Sequence, residues 1–598
     1  MGKTDERENS HKTEKIGTEE RRRKNRKDET EKNPGKETKV SIKANLEGNT
    51  GEVLARVFTA LYGAGIFMLC LPRLCDNNLW GDEAFSALLV RGSIPDIIKG
   101  TAEDVHPPLY YLILKPFVTL LGEHGWVLHG VSCLAFFLTC LFAVLVLYRE
   151  FGRGTTWIFL TFLGFSPAAV RFHVEVRMYS WGALLLLLSL YWLYRIFRDH
   201  TKRAYRTFLF FTLMAAYTHY YCLVTAAFLH FSLLLLAMLS PKGQEKQLAL
   251  RQAFRTALTA GVCYLPWFWL IFLQMAKRKE QYWIQKIPAF RNCLRYLFGG
   301  AFSFRFTVLF LALMLSGLFL AGWRERKYQD GCSFTPYHKT LFSILLSCAG
   351  TIGTGILVSV IYRPFFVTRY LYPCSMLAWL LPPLAVRACC GTFRFRKKAG
   401  ENARQEGKAG ENGKGTEERK HMRREAEEAS AAYASGKWEM AGNLMAVFLS
   451  IYLVVHFWPQ DQKIYIRDRR QNEQLQETLQ VLEEVQPGDM ILTNHWHFCW
   501  TIGEYYFPGV EFTMVDLEEI PPLEKERRYW LVVSELKKGW EKQDRAAEQI
   551  REQGFSCEKL MDDGNLGTHP VHIYRAFYEP GCAGRQYILV KSEEENGK

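Results

Sequence analysis

The chain is predicted to be a polytopic α-helical membrane protein carrying a small extracytoplasmic α/β domain at its C-terminal end. Three observations lead there. The apolar residues collect into long runs, the charged residues collect into separate polar segments, and the stretch after residue 460 alternates between helix-like and strand-like patterns. Of 598 residues, 48% are hydrophobic and 14% aromatic against 23% charged. The near-zero mean hydropathy is an average over very polar and very greasy regions, so each region is read by itself.

Residues 1–51 are rich in Lys, Arg, Glu and Asn and poor in large apolar side chains, so they cannot build a core and are expected to be a disordered basic cytosolic tail. The run Val53 to Leu71 that follows lacks a small-residue cleavage site and reads as a retained signal anchor. Further spans begin near Val127, Thr156, Trp181, Thr207, Cys222, Ala257, Phe302, Thr340, Tyr370 and Ala441, making about eleven. The run from Leu109 to Leu121 is too short to span and Pro116 interrupts it, so it is expected to lie in the interface or re-enter. With that assignment most basic connections, such as YRIFRDHTKRAYR and RACCGTFRFRKK, fall on the side of the N-terminal tail, as the positive-inside rule requires.

Residues 52–390 form the membrane module on this reading, with a first external loop at 73–108. Residues 391–438 are a low-complexity charged cytosolic linker, 439–459 the last transmembrane helix, and 460–598 the extracytoplasmic domain. From Gln460 onward there are 17 basic against 26 acidic residues, the reverse of the tail and linker, so the net charge of +14 describes neither side. The cationic segments fit anionic membrane lipids, and without interleaved aromatics they give no reason to expect nucleic acid. Most of the 15 cysteines fall inside the expected spans and act there as small apolar residues. His495 and His497 show no third metal ligand.

The chemistry gathers at the external span ends. Asp82 and Glu83 follow the first span closely, and Asp104 and His106 stand where the chain turns back to the membrane. VRFHVEVRMYSW brings Arg171, His173, Glu175, Arg177 and Tyr179 to a span end, THYY brings His219, and YRPFFVTRYLYP brings Arg363 and Arg369. An isolated acidic pair reads most simply as solvated interfacial charge. Arginines gathered on the same side require partners or an anionic ligand, because each costs about 2.5 to 3.5 kcal/mol near hydrocarbon. A carboxylate facing such cations suits displacement at a sugar carbon bearing phosphate: the carboxylate takes the acceptor's proton, and fixed positive charge steadies the departing phosphate.

GDEAFS, DVHPPLYY, RMYSW after a span that begins SPAAVRFH, and VTRYLYP together resemble the integral-membrane glycosyltransferases of the protein mannosyltransferase and aminoarabinose transferase type, the C-type fold. The resemblance covers most of Val53 to Arg387. It implies inverting transfer of a sugar from a polyprenyl-phosphate donor to an extracytoplasmic acceptor, with Asp82 as base and Glu83 and Asp104 supporting it. It also implies Arg177 and Arg369 on the donor phosphate, His106 and His219 lining the site, and Tyr179 of RMYSW among the substrate-binding residues. It requires no cofactor but leaves a divalent metal open, with Asp104, His106 and His219 as the available ligands. Two other classes fit a multi-span chain: a flippase or transporter of lipid-linked sugars, which would keep its charges near the midplane with paired repeats, and a non-catalytic envelope-assembly protein, which would lose the Asp-Glu pair or the arginines.

Overall fold

In a computed structural model, residues 34–69, 71–75, 78–240, 243–277, 284, 286–328, 334–385, 417–495, 501–534, 543–566 and 569–578 are described. Two units are distinguished, Met1–Tyr62 and Gly63–Lys598. Eight helices are long and apolar enough to cross a membrane: Thr50–Met68, Gly125–Phe151, Tyr179–Asp199, Tyr220–Leu239, Gln244–Met275, Phe304–Trp323, Pro336–Ile361 and Met440–Leu482. The chain is therefore a multi-pass membrane protein.

The three other expected spans also form helix, in shorter pieces. They are Arg153–Phe165, Lys202–Ala216 and the turn Thr368–Leu371 leading into Tyr372–Ala378. Leu109–Leu121 is a helix of 13 residues that continues through Pro116, which bounds the segment's length but does not break it. One expectation is corrected: the tail was to be disordered through residue 51, yet Pro34–Met68 is one helix. Lys, Glu, Ala and Leu propagate helix well once a long apolar segment supplies the nucleus, so the helix extends backward into polar sequence. Residues 1–33 and 386–416 lie outside the described residues, as does His497.

Helix contacts in the bundle use small and hydroxyl side chains. Between Tyr220–Leu239 and Pro336–Ile361, the Thr225 and Thr351 hydroxyls meet at 2.9 Å and Ser232 donates to Ser343 at 2.9 Å. Such pairs hold helices together where lipid tails offer no hydrophobic contrast. Gly182 lets Tyr179–Asp199 come close to its neighbours, since a Cβ there would stand 2.8 Å from Cys222 Sγ.

The last span does not end at the expected domain boundary. Glu417–Leu482 is a single helix of 66 residues, joining part of the linker, the last span and the first helix of the C-terminal domain. That domain is a five-stranded sheet in the order β2-β1-β3-β5-β4, with β1 Met490–Thr493, β2 Glu511–Met514, β3 Tyr529–Ser534, β4 Phe555–Leu566 and β5 His569–Tyr578. β2, β1 and β3 run parallel, while β5 is antiparallel to both β3 and β4. One face packs Leu531, Val533 and Tyr574 against the helix Gln543–Glu552, and the other packs Trp530, Val532 and Ile573 against Leu475 and Leu482 of the long helix. The short runs RYWLVVSE and HPVHIYRAFY, rich in β-branched and aromatic residues, are β3 and β5, and β3 is buried at every position. β2, with its partly exposed EFTM, carries a weaker signal of this kind.

The domain also grips the chain on both sides of the Asp-Glu pair. The backbone N–H of Leu79 donates to Tyr506 Oη at 2.7 Å, Gln476 donates to Asn78 at 2.7 Å, and Arg91 lies over the Tyr505 ring at 5.2 Å.

Candidate active site

Asp82 and Glu83 occupy the first turn of the helix Gly81–Arg91, where unpaired backbone N–H groups and the helix dipole favour negative charge. The two carboxylates have different surroundings. Glu83 is buried; it accepts the N–H of Trp80 at 3.3 Å and that of Val176 at 2.8 Å, tying the start of this helix to the segment before Tyr179. Burial outweighs these bonds and raises its pKa to about 7. Asp82 keeps 23% of its side chain exposed, with Oδ2 3.5 Å from Arg369 Nη2.

Arg177 holds the same turn from the other side. Its Nη1 donates to the carbonyl of Asp82 at 3.1 Å, to Ser86 Oγ at 3.4 Å and to Tyr111 Oη at 3.3 Å. Its Nη2 stands 3.3 Å from His106 Nε2, and His106 Nδ1 stands 2.9 Å from Asp104 Oδ2. A guanidinium can only donate, so Nε2 accepts and Nδ1 carries the proton given to Asp104, which fixes the tautomer. Burial, helped by the Arg177 charge, lowers the pKa of His106 and keeps the ring neutral at pH 7.

His219 caps the helix Tyr220–Leu239, accepting the N–H of Tyr221 at 3.1 Å. Its ring lies 6.1 Å from His106, 5.7 Å from Tyr179 and 5.2 Å from Tyr370. Burial, the His106 ring and the two arginines hold its pKa well below the ordinary histidine value. Arg369 lies over the Trp80 and Tyr370 rings at 5.9 and 5.7 Å, a placement that keeps the cation beside Asp82.

The eight residues to which the resemblance gave site roles, Asp82, Glu83, Asp104, His106, Arg177, Tyr179, His219 and Arg369, thus belong to one connected cluster. Arg177 is spent on protein partners and buried, whereas Arg369 lines open space. Among the described residues no group of three His, Cys, Asp or Glu is placed to hold a metal ion. Asp104, His106 and His219 do not form such a set, because both His106 nitrogens already face Asp104 and Arg177.

A cavity of about 740 Å³ adjoins the cluster, with Trp80, Glu83, Arg171, Glu175 and Arg369 on one side. On the other side are Tyr465 to Gln476, the turns of the long helix beyond its apolar segment. Sequence reasoning placed Arg171 and Glu175 at the same span end but gave them no role. Their spacing of four residues was the available signal, and Arg171 Nε does lie 3.8 Å from Glu175 Oε2. That the long helix would flank the site left no sign in the sequence.

No family model matches the chain, and no curated protein matches it. Solved structures similar to it include ArnT from Cupriavidus metallidurans in the apo state and the same protein bound to undecaprenyl phosphate. For each the identity is 14%, the match covers 90% of this chain and 100% of the other, and the TM-score is 0.48. A score below 0.5 does not establish a shared fold.

Proposed function

We propose that the protein is an inverting glycosyltransferase that moves a sugar from a polyprenyl-phosphate donor to an acceptor hydroxyl at the extracytoplasmic membrane surface. The observation that carries this reading is the pairing of a partly exposed carboxylate, Asp82, with the cavity-lining Arg369, on a turn whose backbone is fixed by a buried arginine. Asp82 takes the proton of the acceptor as its oxygen attacks the anomeric carbon. Arg369 faces the phosphate oxygen that receives the electron pair of the breaking bond. Glu83, held by two backbone N–H groups, positions the turn.

Membrane vesicles containing the protein, given labelled polyprenyl-phosphate hexoses or pentoses, should transfer label to a polyprenyl-free product. Label that crosses the membrane still attached to lipid would instead favour a flippase.

The same reading puts the N-terminal tail and the linker in the cytosol and the β-sheet domain outside, in keeping with the basic character of the former and the acidic excess of the latter. In sealed inside-out vesicles, protease should cut the linker and spare the domain. Finding both protected, or both cut, would overturn this topology.

A further inference from the structure

Of the carboxylates on the cavity wall, Asp468 and Glu473 are paired with Arg467 and Arg469 and Glu83 accepts two backbone N–H groups, which leaves Glu175 without a hydrogen-bonded role in the reaction above. It is 5% exposed, and among the described residues neither carboxylate oxygen has a hydrogen bond. Arg171 Nε lies 3.8 Å from Glu175 Oε2, near enough to act on its charge and too far to be a hydrogen bond. A buried carboxyl in this position is expensive to keep unless something that enters the cavity completes its hydrogen bonding. Arg171 and Arg369 line the same wall as Glu175, a setting whose charge suits an anion. For a carboxyl and an anion to be neighbours, the carboxyl must hold its proton.

We propose that Glu175 is the general acid that gives its proton to the departing phosphate of the lipid-linked donor, between Arg171 and Arg369. The inference rests on the transferase reading and adds its second proton transfer. The acceptor O–H bond breaks and its proton passes to Asp82, while the acceptor oxygen forms the new bond to the anomeric carbon. The bond from that carbon to the phosphate oxygen breaks, its electron pair stays on the oxygen, and Glu175 supplies a proton to the phosphate. The products are the glycosylated acceptor and polyprenyl hydrogen phosphate. Transfer of the proton on Asp82 to Glu175 through water resets the enzyme, so no oxidant or reductant enters.

The charged and titratable groups around Glu175 support its protonated state. Burial is the largest influence and raises the pKa to about 7, against the lowering effect of Arg171 and Arg369 and with help from Glu83 and Asp82. Tyr296 and Tyr179 also face it, while His129 lines the same cavity. From the long helix, Arg467 and Arg469 are already paired with Asp468 and Glu473 at 3.0 and 2.9 Å. A group with that pKa is matched to a phosphate monoester, whose second ionisation lies near pH 6.

Two measurements on the purified full chain test this. In the first, the transfer rate of the wild type should fall as pH rises through about 7, because the acid form is the active one. Glu175→Gln should be slower by about a hundred- to ten-thousand-fold and should lose that alkaline fall. Glu175→Asp should keep the fall at a reduced rate, and Glu83→Gln should keep it as well. In the second, infrared difference spectra with polyprenyl phosphate as the probe should show a protonated carboxyl band in the wild type that changes on binding and is missing in Glu175→Gln. An unchanged alkaline fall in Glu175→Gln, or the same band change in both proteins, would overturn the assignment. The infrared result is read without turnover, so it stays decisive for Glu175 even if wild-type protein transfers no sugar and the transferase reading fails.

Discussion

Asp82→Asn should bind a polyprenyl-phosphate sugar about as well as the wild type and transfer it a hundred- to ten-thousand-fold more slowly, the usual cost of losing a general base. The substitution is nearly isosteric, and the contacts that fix this turn use the backbone carbonyl of Asp82 and the side chain of Glu83 rather than the Asp82 carboxylate. The fold should therefore survive. What is lost is the ability to take a proton, together with the charge facing Arg369 at 3.5 Å. Glu83→Gln should cost less in turnover, because Glu83 is buried and acts on the turn. Its side chain would still accept one of the two N–H groups now shared between its oxygens. Single-turnover kinetics in detergent or nanodiscs separates binding from chemistry. Near-normal transfer by Asp82→Asn would remove Asp82 from the base role.

Arg177→Ala should unfold at a markedly lower temperature and have no measurable activity, whereas Arg369→Ala should be close to wild type in stability and defective mainly toward donor. The contrast follows from burial. Arg177 is 3% exposed and serves the Asp82 carbonyl, Ser86, Tyr111 and His106 at once, so its removal leaves buried acceptors and the Asp104–His106 pair without their cation. Breaking a buried charged arrangement of this kind costs about 3 to 5 kcal/mol. Arg369 keeps 27% of its side chain exposed and lines the cavity, so its loss leaves no comparable hole. Arg369→Lys should restore only part of the lost activity, because a point charge replaces a planar fork. Thermal unfolding in detergent alongside donor titration measures both. Equal loss of stability in the two alanine variants would contradict the division of labour between these arginines.

The residues of the cluster were legible because polar side chains at the ends of apolar runs are costly and therefore informative. Asp82, Arg177 and Arg369 stood out for that reason, and the structure places them within one network. Their separate surroundings were not legible. Nothing in DE announces that Glu83 turns inward to cap its own helix while Asp82 faces Arg369, since that depends on Val176 arriving from another part of the chain. The same holds for Glu175, whose burial is set by tertiary packing. Spans were readable where the apolar run was long. At Arg153–Phe165 and Lys202–Ala216 the helices are shorter than a full span, because Ser166 and Tyr217 end them inside apolar sequence. The long helix Glu417–Leu482 was hidden by composition, because polar sequence rich in Glu, Arg and Gln continues an established helix as readily as it forms a linker.

The proposed reaction is a single displacement at the anomeric carbon, with Asp82 as base and no covalent sugar-enzyme intermediate. Its most direct test is the anomeric configuration of the sugar that the purified protein transfers from a polyprenyl-phosphate donor of known configuration, read by NMR at early times. Water can serve as acceptor if the spectrum is taken before the free sugar equilibrates. The account predicts inversion, lost together with all transfer in Asp82→Asn. Retention of configuration, or inversion that persists at full rate in that variant, would contradict it.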